Sequence, residues 1–359
     1  MKKVLFIALA FVVAAVMLVG CYAPTASVSP SATTVAPTTA PTEAPTTAPS
    51  EAPKVSFGMV TDIGKIGDKS FNDSGWAGFT KAGTELSVKP ALLESNAEAD
   101  YVPNLTNMVS QADLAIGVGF MMEAGIKEVA GKNPDKKFGT IDCVVDLPNV
   151  MSNVFAENEG SFLVGIAAGM TTKSNVIGFV GGMDVPLIRK FQAGFVAGVK
   201  SVNPKAKVIE SYTGNFGDVA AGKTSALALF KQKADVIFHA SGACGIGVIN
   251  AADEKGFWAI GVDSDQAGVS KNNKVLCSML KRVDNACYGT IMAYAKGTFK
   301  GGTVTWDLKA DGVGVGDGGN NLSAEIKAAI QKYTDAFKAG KFTIPATMDE
   351  LKTFTPPTL

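Results

Sequence analysis

Arginine and histidine are almost absent from this sequence. Arg189 and Arg282 are its two arginines, and His239 is its one histidine among 359 residues. A cluster of arginines that could bind phosphate groups is therefore excluded. A zinc site is not expected either, because the sequence has no CxxC pair and so little histidine. The 33 basic and 33 acidic residues balance, so the charge gives no support for nucleic-acid binding.

Familiar catalytic patterns are missing as well. The sequence does not contain the GxSxG motif of serine hydrolases. Gly314, Gly316 and Gly319 match GxGxxG, but they lie in GVGVGDGG, which we predict to be a loop before the last helix. His239 lies in the apolar run VIFHASG, where a buried strand histidine is more typical than a base. We therefore expect no catalytic residue, cofactor or metal, and a secreted hydrolase or oxidoreductase is the least supported interpretation.

The first 53 residues differ sharply from the remainder. Residues 1–20 contain two lysines followed by an apolar run, as in a signal peptide. The residues LVGC, ending at Cys21, resemble a bacterial lipobox, which predicts that Cys21 is lipidated; an ordinary signal peptide or a membrane anchor is the alternative. Residues 21–53 are rich in Pro, Thr, Ala and Ser and have too little apolar bulk for a core. We predict a tether that holds the folded part on the extracytoplasmic face of the cell membrane.

The folded part begins near Lys54 and alternates strand and helix patterns. Its length of about 300 residues favours two lobes over one. Apolar runs such as VSFGMV, ADLAIGVGF and WAIGVD alternate with helical patterns such as EAGIKEVAGK, which predicts parallel sheets covered on both faces. Phe71 and Phe191 each follow a strand and precede an Ala-Gly pair. This echo predicts two lobes with the same opening unit, in which small residues let a helix lie close to its sheet.

Four cysteines occur in the folded part: Cys143, Cys244, Cys277 and Cys287. An exported protein can form disulfides, but the spacing of the cysteines does not reveal a pairing. Disulfides and buried free thiols both remain open.

Polar and aromatic residues follow most of the predicted strands. In parallel sheets, ligands bind at the carboxyl ends of strands, so these residues form a candidate site. Phe71 and Phe216 follow strands of different lobes and could hold a flat ring between them, although each alone is more typical of core packing. Asp263 could accept hydrogen bonds from neighbouring hydroxyls of a sugar. The candidates also include Asp62 and Asp68, for which helix capping is the alternative, and Phe120, Gly242 and Lys281.

The stretch VTDIGKIGDKSFNDSGWAGF resembles the signature of the basic membrane protein family. These are bacterial lipoproteins that serve as ABC-transporter substrate-binding proteins, and the better understood members bind purine nucleosides. The blocks FGTID, NEGSFLVGIAAGM, VIGFVGGMDVPLIRKFQAGFVAG, ASGACGIGVINAA and IGVDSDQ resemble the family in the same order, so the resemblance covers residues 54–345. It implies binding of a nucleoside such as adenosine, guanosine or inosine, with ABC permease subunits as partners. The same fold binding a sugar or another small solute is the alternative.

The resemblance also implies the fold. It predicts a two-lobed type I periplasmic-binding protein fold of the α/β class, in which each lobe is a doubly wound parallel sheet. Residues 54–155 and 281–312 would form the N-terminal lobe, and residues 156–280 and 313–359 the C-terminal lobe. Three hinge crossings near residues 152–157, 275–281 and 303–313 would join the lobes.

Site residues follow from the matching positions. The resemblance implies that Phe71 and Phe216 hold the purine ring and that an acid of GVDSDQ binds ribose, with Asp263 the first choice and Asp265 the second. The full set of predicted ligand-binding residues is Asp62, Phe71, Asn72, Phe120, Phe216, Gly242, Asp263 and Lys281. Family members often have a Gly pair after the first acid, whereas this sequence has Ile63, Gly64 and Lys65 after Asp62.

Overall fold

The computed structural model describes residues 55–359, and the predicted signal peptide, Cys21 and tether lie outside the described residues. The strands are β1 Phe57–Thr61, β2 Ala91–Leu93, β3 Leu114–Val118, β4 Lys137–Ile141, β5 Val150–Phe155, β6 Val176–Gly181, β7 Lys207–Tyr212, β8 Val236–Ala240, β9 Trp258–Asp263, β10 Val275–Lys281, β11 Gly302–Trp306 and β12 Val313–Gly316. The helices are α1 Phe71–Leu86, α2 Tyr101–Gln111, α3 Glu123–Lys132, α4 Glu157–Thr171, α5 Pro186–Val202, α6 Val219–Lys231, α7 Cys244–Lys255, α8 Val283–Ala295, α9 Ala324–Lys338 and α10 Met348–Thr353.

Two six-stranded sheets form the centres of two lobes. The strand order is β11-β5-β4-β3-β1-β2 in the first sheet and β12-β10-β9-β8-β6-β7 in the second. All neighbours are parallel except β12, which runs antiparallel to β10. Central strands such as β1, β3 and β8 are buried along their whole length, which explains their continuous apolar sequences. The predicted two-lobed α/β fold is confirmed.

The chain passes between the lobes three times. It crosses between β5 and α4, returns between β10 and α8, and crosses again between β11 and β12. Helix α8 packs on α1 of the first lobe, whereas α4 packs on α5 of the second. Lys281 is the last residue of β10 and therefore belongs to the second sheet. The lobe boundaries given above stay a prediction.

The glycine-rich stretch near residue 314 corrects one expectation. We predicted a loop there, but Val313–Gly316 forms the edge strand β12. Val313 is buried and so supplies the apolar contact that a strand needs. A Cβ at Gly316 would lie 2.7 Å from an Asp265 carboxylate oxygen. Glycine at this position therefore leaves room for the Asp265 side chain and does not mark a flexible turn.

The repeated Ala-Gly pairs also have a different role from the predicted one. A Cβ at Gly78 in α1 would lie 2.2 Å from the backbone oxygen of Asp284 in α8. A Cβ at Gly198 in α5 would lie 2.0 Å from the backbone oxygen of Phe162 in α4. These glycines therefore let two helices pack closely within each lobe, and the expectation that they face the sheet is wrong at both positions.

Candidate ligand-binding site

A cavity lies between the lobes at the carboxyl ends of the strands. A water-sized molecule can occupy about 50 Å³ of it, and the total space between protein atoms, part of it open to solvent, is about 520 Å³. The lining residues are Asp62, Gly64, Asp68, Phe71, Asn72, Phe120 and Asp142 from the first lobe, and Leu187, Ile188, Phe191, Phe216, Ala240, Ser241, Gly242, Val262, Asp263 and Lys281 from the second. All eight residues predicted as ligand contacts line this cavity.

The alternative acid, Asp265, lies elsewhere. Its side chain is exposed and accepts hydrogen bonds from the backbone N–H groups of Ala267 at 3.1 Å and Gly318 at 2.7 Å. Asp265 does not line the cavity. The structure therefore places Asp263 at the cavity and gives Asp265 a role in holding the loop after β9 against β12.

The loop between β1 and α1 holds Asn72 in one orientation. The Asn72 side-chain amide donates to Asp62 at 2.9 Å and to Asp68 at 3.1 Å. Asp68 also accepts from the backbone N–H groups of Ser70 and Asn72 at the start of α1, so the capping interpretation of Asp68 is confirmed. With both amide hydrogens used, the buried Oδ1 of Asn72 has no hydrogen-bond partner among residues 55–359. Asn72 can therefore only accept a hydrogen bond from a ligand.

Lys65, which interrupts the expected Gly pair, points away from the cavity. Its Nζ donates to Asn96 at 2.5 Å. The position in this loop that needs glycine is Gly64, since a Cβ there would lie 2.9 Å from both the Asn72 and the Asp62 side chains. The backbone N–H of Gly64 also donates to Asp62 at 2.8 Å. The departure from the family pattern thus leaves the contacts of Asp62 intact.

Aromatic rings from both lobes border the cavity. Phe71 is the first residue of α1, Phe120 follows β3, and Phe216 lies in the loop after β7. The rings of Phe120 and Phe216 meet edge-on across the lobes, with centroids 6.1 Å apart. A Cβ at Gly182 would lie 2.2 Å from the Phe216 ring, so the glycine after β6 makes room for this ring.

Gly242 supports the same loop from the other side. Its φ of +55° lies in the left-handed region, which glycine adopts without steric cost. A Cβ at this position would come 3.0 Å from the backbone oxygen of Phe216. The predicted ligand contact at Gly242 is therefore accompanied by a structural role in positioning Phe216.

Lys281 lies in a buried cluster of charges at the cavity floor. Its Nζ is 2.6 Å from Asp142 and 3.1 Å from Glu157. Lys190 lies 2.8 Å from Glu157 and donates to the backbone oxygen of Phe155 at 2.5 Å. Burial alone would lower the pKa of Lys281, but the nearby carboxylates raise it above its usual value. Lys281 is therefore charged at neutral pH, and the cluster joins α4 and β10 of the second lobe to the end of β4 in the first.

Asp263 is a buried carboxylate that contacts the opposite lobe. It ends β9 with a φ of 64° and accepts a hydrogen bond from the Ser70 hydroxyl. Burial raises the pKa of Asp263 to about 7, although Lys281 and Ser70 act in the opposite direction. Burial likewise raises the pKa of Asp62 to about 6. These carboxylates lie in a site that has too few donors to stabilise their charged forms.

Asp142 is a cavity residue that our sequence reasoning missed. Asp142 directly follows β4, and Asp263 is the last residue of β9. Each of these two strands is the third in the strand order of its sheet. Both residues have a φ in the left-handed region, and burial raises the pKa of Asp142 to about 6. One Asp142 oxygen has no hydrogen-bond partner among the described residues. The signal was present in FGTID and WAIGVD, because each apolar strand pattern ends in an aspartate.

The remaining sequence expectations concern His239 and the cysteines. His239 is fully buried in β8, as predicted, and its Nε2 lies 2.8 Å from Gln266 Oε1. The four cysteines of the described chain are all buried free thiols, which resolves the two alternatives. In residues 55–359, no group of three or more His, Cys, Asp or Glu side chains is arranged to hold a metal ion. No helix in this part of the chain is long and apolar enough to cross a membrane.

Comparison with known protein families matches this architecture. The family model Bmp, described as ABC transporter substrate-binding protein PnrA-like, matches residues 55–347. The chain belongs to this family. The predicted basic membrane protein resemblance is thereby confirmed, and the PnrA-like match covers almost the whole described part.

Relatives and a solved structure extend the PnrA-like match. The nucleoside-binding protein BmpA of an ABC transporter from Lactococcus lactis is 37% identical over 313 residues, which cover 80% of this chain and 88% of the relative. The CD4+ T-cell-stimulating antigen of Listeria monocytogenes is 37% identical over 310 residues, which cover 80% and 87%. A crystal structure of an ABC transporter solute-binding protein from Aeropyrum pernix has a TM-score of 0.75 and 27% identity, covering 83% of this chain and 96% of that one.

Proposed function

We propose that this protein captures a purine nucleoside in the interlobe cavity and delivers it to the permease of an ABC importer. The observation that carries the proposal is the cavity itself, which combines rings from both lobes with hydrogen-bond acceptors. Phe71 and Phe216 would contact the faces of the base, and such contacts are worth about 1–3 kcal/mol per base in nucleic-acid proteins. The name of the Lactococcus lactis relative supports the same ligand class.

The carboxylates of the cavity suit the sugar of a nucleoside. Asp263 and Asp142 approach from opposite lobes, and ionised carboxylates can only accept hydrogen bonds. Ribose hydroxyls supply the donors that these groups lack. A site built around hydroxyls rejects ligands without them, because its buried acceptors would be left unpaired.

The same charges favour a nucleoside over a nucleotide. Asp62, Asp68, Asp142 and Asp263 line the cavity, whereas Lys281 is the only basic residue among its lining residues. Lys281 is already paired with Asp142 and Glu157. A phosphate would therefore meet mostly negative charge in a buried site, where electrostatic repulsion is strong.

Transport follows from closure of the lobes and from a membrane anchor. Contacts with both lobes are complete only in the closed form, so the ligand shifts the population towards closure, and the permease would recognise that form. Lipidation of Cys21 would hold the protein at the extracytoplasmic face of the membrane. In the native organism, Cys21→Ser should release the protein from the membrane fraction, whereas Cys21→Ser protein that stays membrane-bound would argue against this anchor.

A thermal-shift panel tests the ligand class directly. Adenosine, guanosine and inosine should raise the unfolding temperature, whereas free sugars and the corresponding monophosphates should not. Mass spectrometry of co-purified small molecules would identify a natural ligand independently. Stabilisation by a sugar and by none of the nucleosides would reject the proposal in favour of a sugar-binding protein with this fold.

A further inference from the structure

A hydrogen bond outside the cavity joins the lobes directly. The side-chain Nε2 of Gln266, in the loop after β9, donates to the backbone oxygen of Lys69 at 2.9 Å. Gln266 belongs to the second lobe and Lys69 to the loop before α1 of the first. Neither residue lines the cavity, and Gln266 is 1% exposed. This contact exists only when the lobes are together.

The orientation of the Gln266 amide is fixed by its own lobe. Its Oε1 accepts from the backbone N–H of Val262 at 2.9 Å and lies 2.8 Å from His239 Nε2. Since this oxygen only accepts, His239 must carry its hydrogen on Nε2. Burial lowers the pKa of His239 to about 4, so the ring stays neutral. With Oε1 held by two donors, the NH₂ group of Gln266 must face the other lobe.

The first lobe presents its acceptor through an unusual backbone conformation. Lys69 has a φ of +55°, a conformation that is uncommon outside glycine and costs energy. Hydrogen bonds from the backbone N–H groups of Gly67 and Lys69 to Asp73 hold this turn at 2.7 and 3.1 Å. The turn gives two successive residues partners in the second lobe, since the Lys69 oxygen accepts from Gln266 and the Ser70 hydroxyl donates to Asp263.

We propose that Gln266 and the Lys69 carbonyl form a latch that stabilises the closed form, with His239 as the residue that positions the Gln266 amide. The latch acts through protein–protein contact alone, so it sets the balance of open and closed lobes whatever the ligand. It does not depend on the proposal that the ligand is a nucleoside. His239 acts through Gln266 and does not touch the cavity.

Gln266→Glu isolates the contact between the lobes. At about pH 8 a carboxylate still accepts from Val262 and His239 but cannot donate to Lys69. Loss of one hydrogen bond should lower the ratio of closed to open protein about threefold to tenfold. Small-angle scattering of the protein without added ligand should therefore give a larger radius of gyration than the wild type. Adenosine, used as the probe, should bind correspondingly more weakly in calorimetry.

Two further variants guard against misfolding and charge effects. Gln266→Met is neutral and of similar size, and it should also increase the radius of gyration. Gln111→Glu makes the same chemical change at an exposed position in α2 and should leave scattering and affinity unchanged. Each variant is compared at matched folded fraction, checked by thermal unfolding.

A double-mutant cycle tests the role of His239. His239→Leu should open the wild type but should add nothing in the Gln266→Glu background, because the bond that it positions is already gone. Equal effects of His239→Leu in both backgrounds would show a merely structural role. An unchanged radius of gyration together with an unchanged adenosine affinity in both Gln266 variants would overturn the latch. Failure of adenosine, guanosine and inosine alike to bind the wild type would reject the nucleoside proposal and leave the scattering comparison valid.

Discussion

Replacement of Asp263 by asparagine should stabilise the protein while weakening ligand binding. Burial raises the pKa of this carboxyl from 3.8 to about 7, so its charged form is disfavoured in the folded state. A shift of one pKa unit corresponds to about 1.4 kcal/mol, which gives about 4 kcal/mol for the ionised group. The pKa of about 7 already includes the attraction to Lys281. Asparagine keeps an oxygen that can accept from Ser70, but its NH₂ group adds a donor that needs an acceptor in the site. We therefore expect a net stabilisation of about 3 kcal/mol at about pH 8.

The stability gained by Asp263→Asn should depend on pH. A group whose pKa is raised on folding holds its proton in the folded protein at a pH where the unfolded chain has released it. The wild type therefore gains stability as Asp263 takes up its proton below about pH 7. Asparagine does not titrate, so the variant shows no such gain. The advantage of Asp263→Asn should be full at about pH 8, should fall to less than half near pH 5 and should disappear only near pH 3, below the ordinary pKa of 3.8.

Denaturant titrations at several pH values measure the stability, and calorimetry measures the affinity. A gain of about 3 kcal/mol corresponds to about 5 °C for a folded part of this length. Ribosides should bind Asp263→Asn at least about tenfold more weakly, whereas free bases should be affected less. Asp265→Asn is the matched control and should change neither affinity nor the pH profile. No gain in stability at high pH would refute the idea that Asp263 is held ionised at a cost.

Three other predictions follow from the same cavity. Phe71→Ala should weaken nucleoside binding at least about tenfold through lost stacking, and unchanged affinity in calorimetry would exclude Phe71 as a base contact. Lys281→Met should destabilise the protein by about 3 kcal/mol at about pH 8, because Asp142 loses its buried partner. The loss should be smaller near pH 5, where Asp142 is protonated. Equal losses of stability at the two pH values in denaturant titrations would contradict this account. Nucleoside affinity of the wild type should fall between about pH 8 and pH 5 as Asp263 and Asp142 gain protons, and a flat calorimetric profile would argue against carboxylate acceptors.

Stability in the same pH range combines opposing groups. Asp62, Asp142 and Asp263 have raised pKa values of about 6 to 7, so they favour the folded state as the pH falls. His239 has a pKa lowered to about 4, so below its ordinary value the unfolded chain binds a proton that the folded protein does not. His239 therefore opposes the trend, but three carboxyls outweigh one imidazole.

The sequence predicts the fold well because its strands are buried on both faces. Continuous apolar runs such as the one ending at Asp62 leave few alternatives to a covered parallel sheet. The short strand β12, which we expected to be a loop, is harder to recognise, because it lies at a sheet edge. Edge strands need apolar contact on fewer sides, so their sequences can hold glycine and threonine without losing their place in the sheet.

The site was predictable where one strand end determines a residue's position. Each residue predicted to contact the ligand lies beside a strand end or at the start of a helix, and each lines the cavity. Asp142 was missed although its strand pattern, FGTID, ends in an aspartate as the pattern before Asp263 does. The roles of Gln266 and His239 depend on contacts across 27 and 197 residues of sequence, and no local pattern encodes such contacts.

The duplicated architecture explains why the cavity favours a ligand that donates hydrogen bonds. Each lobe places one aspartate at the end of its equivalent central strand, and closure brings Asp142 and Asp263 towards the same space. Strand β10 of the second lobe ends in a cation, Lys281. The strand at the same position in the first sheet, β5, ends in the uncharged Phe155. Lys190 pairs with Glu157, but Lys281 cannot neutralise both Asp142 and Asp263, and Asn72 adds one more unpaired acceptor. A neutral ligand with hydroxyl donors supplies what the closed cavity lacks, whereas a phosphate would add acceptors and negative charge to a site that already has an excess of both.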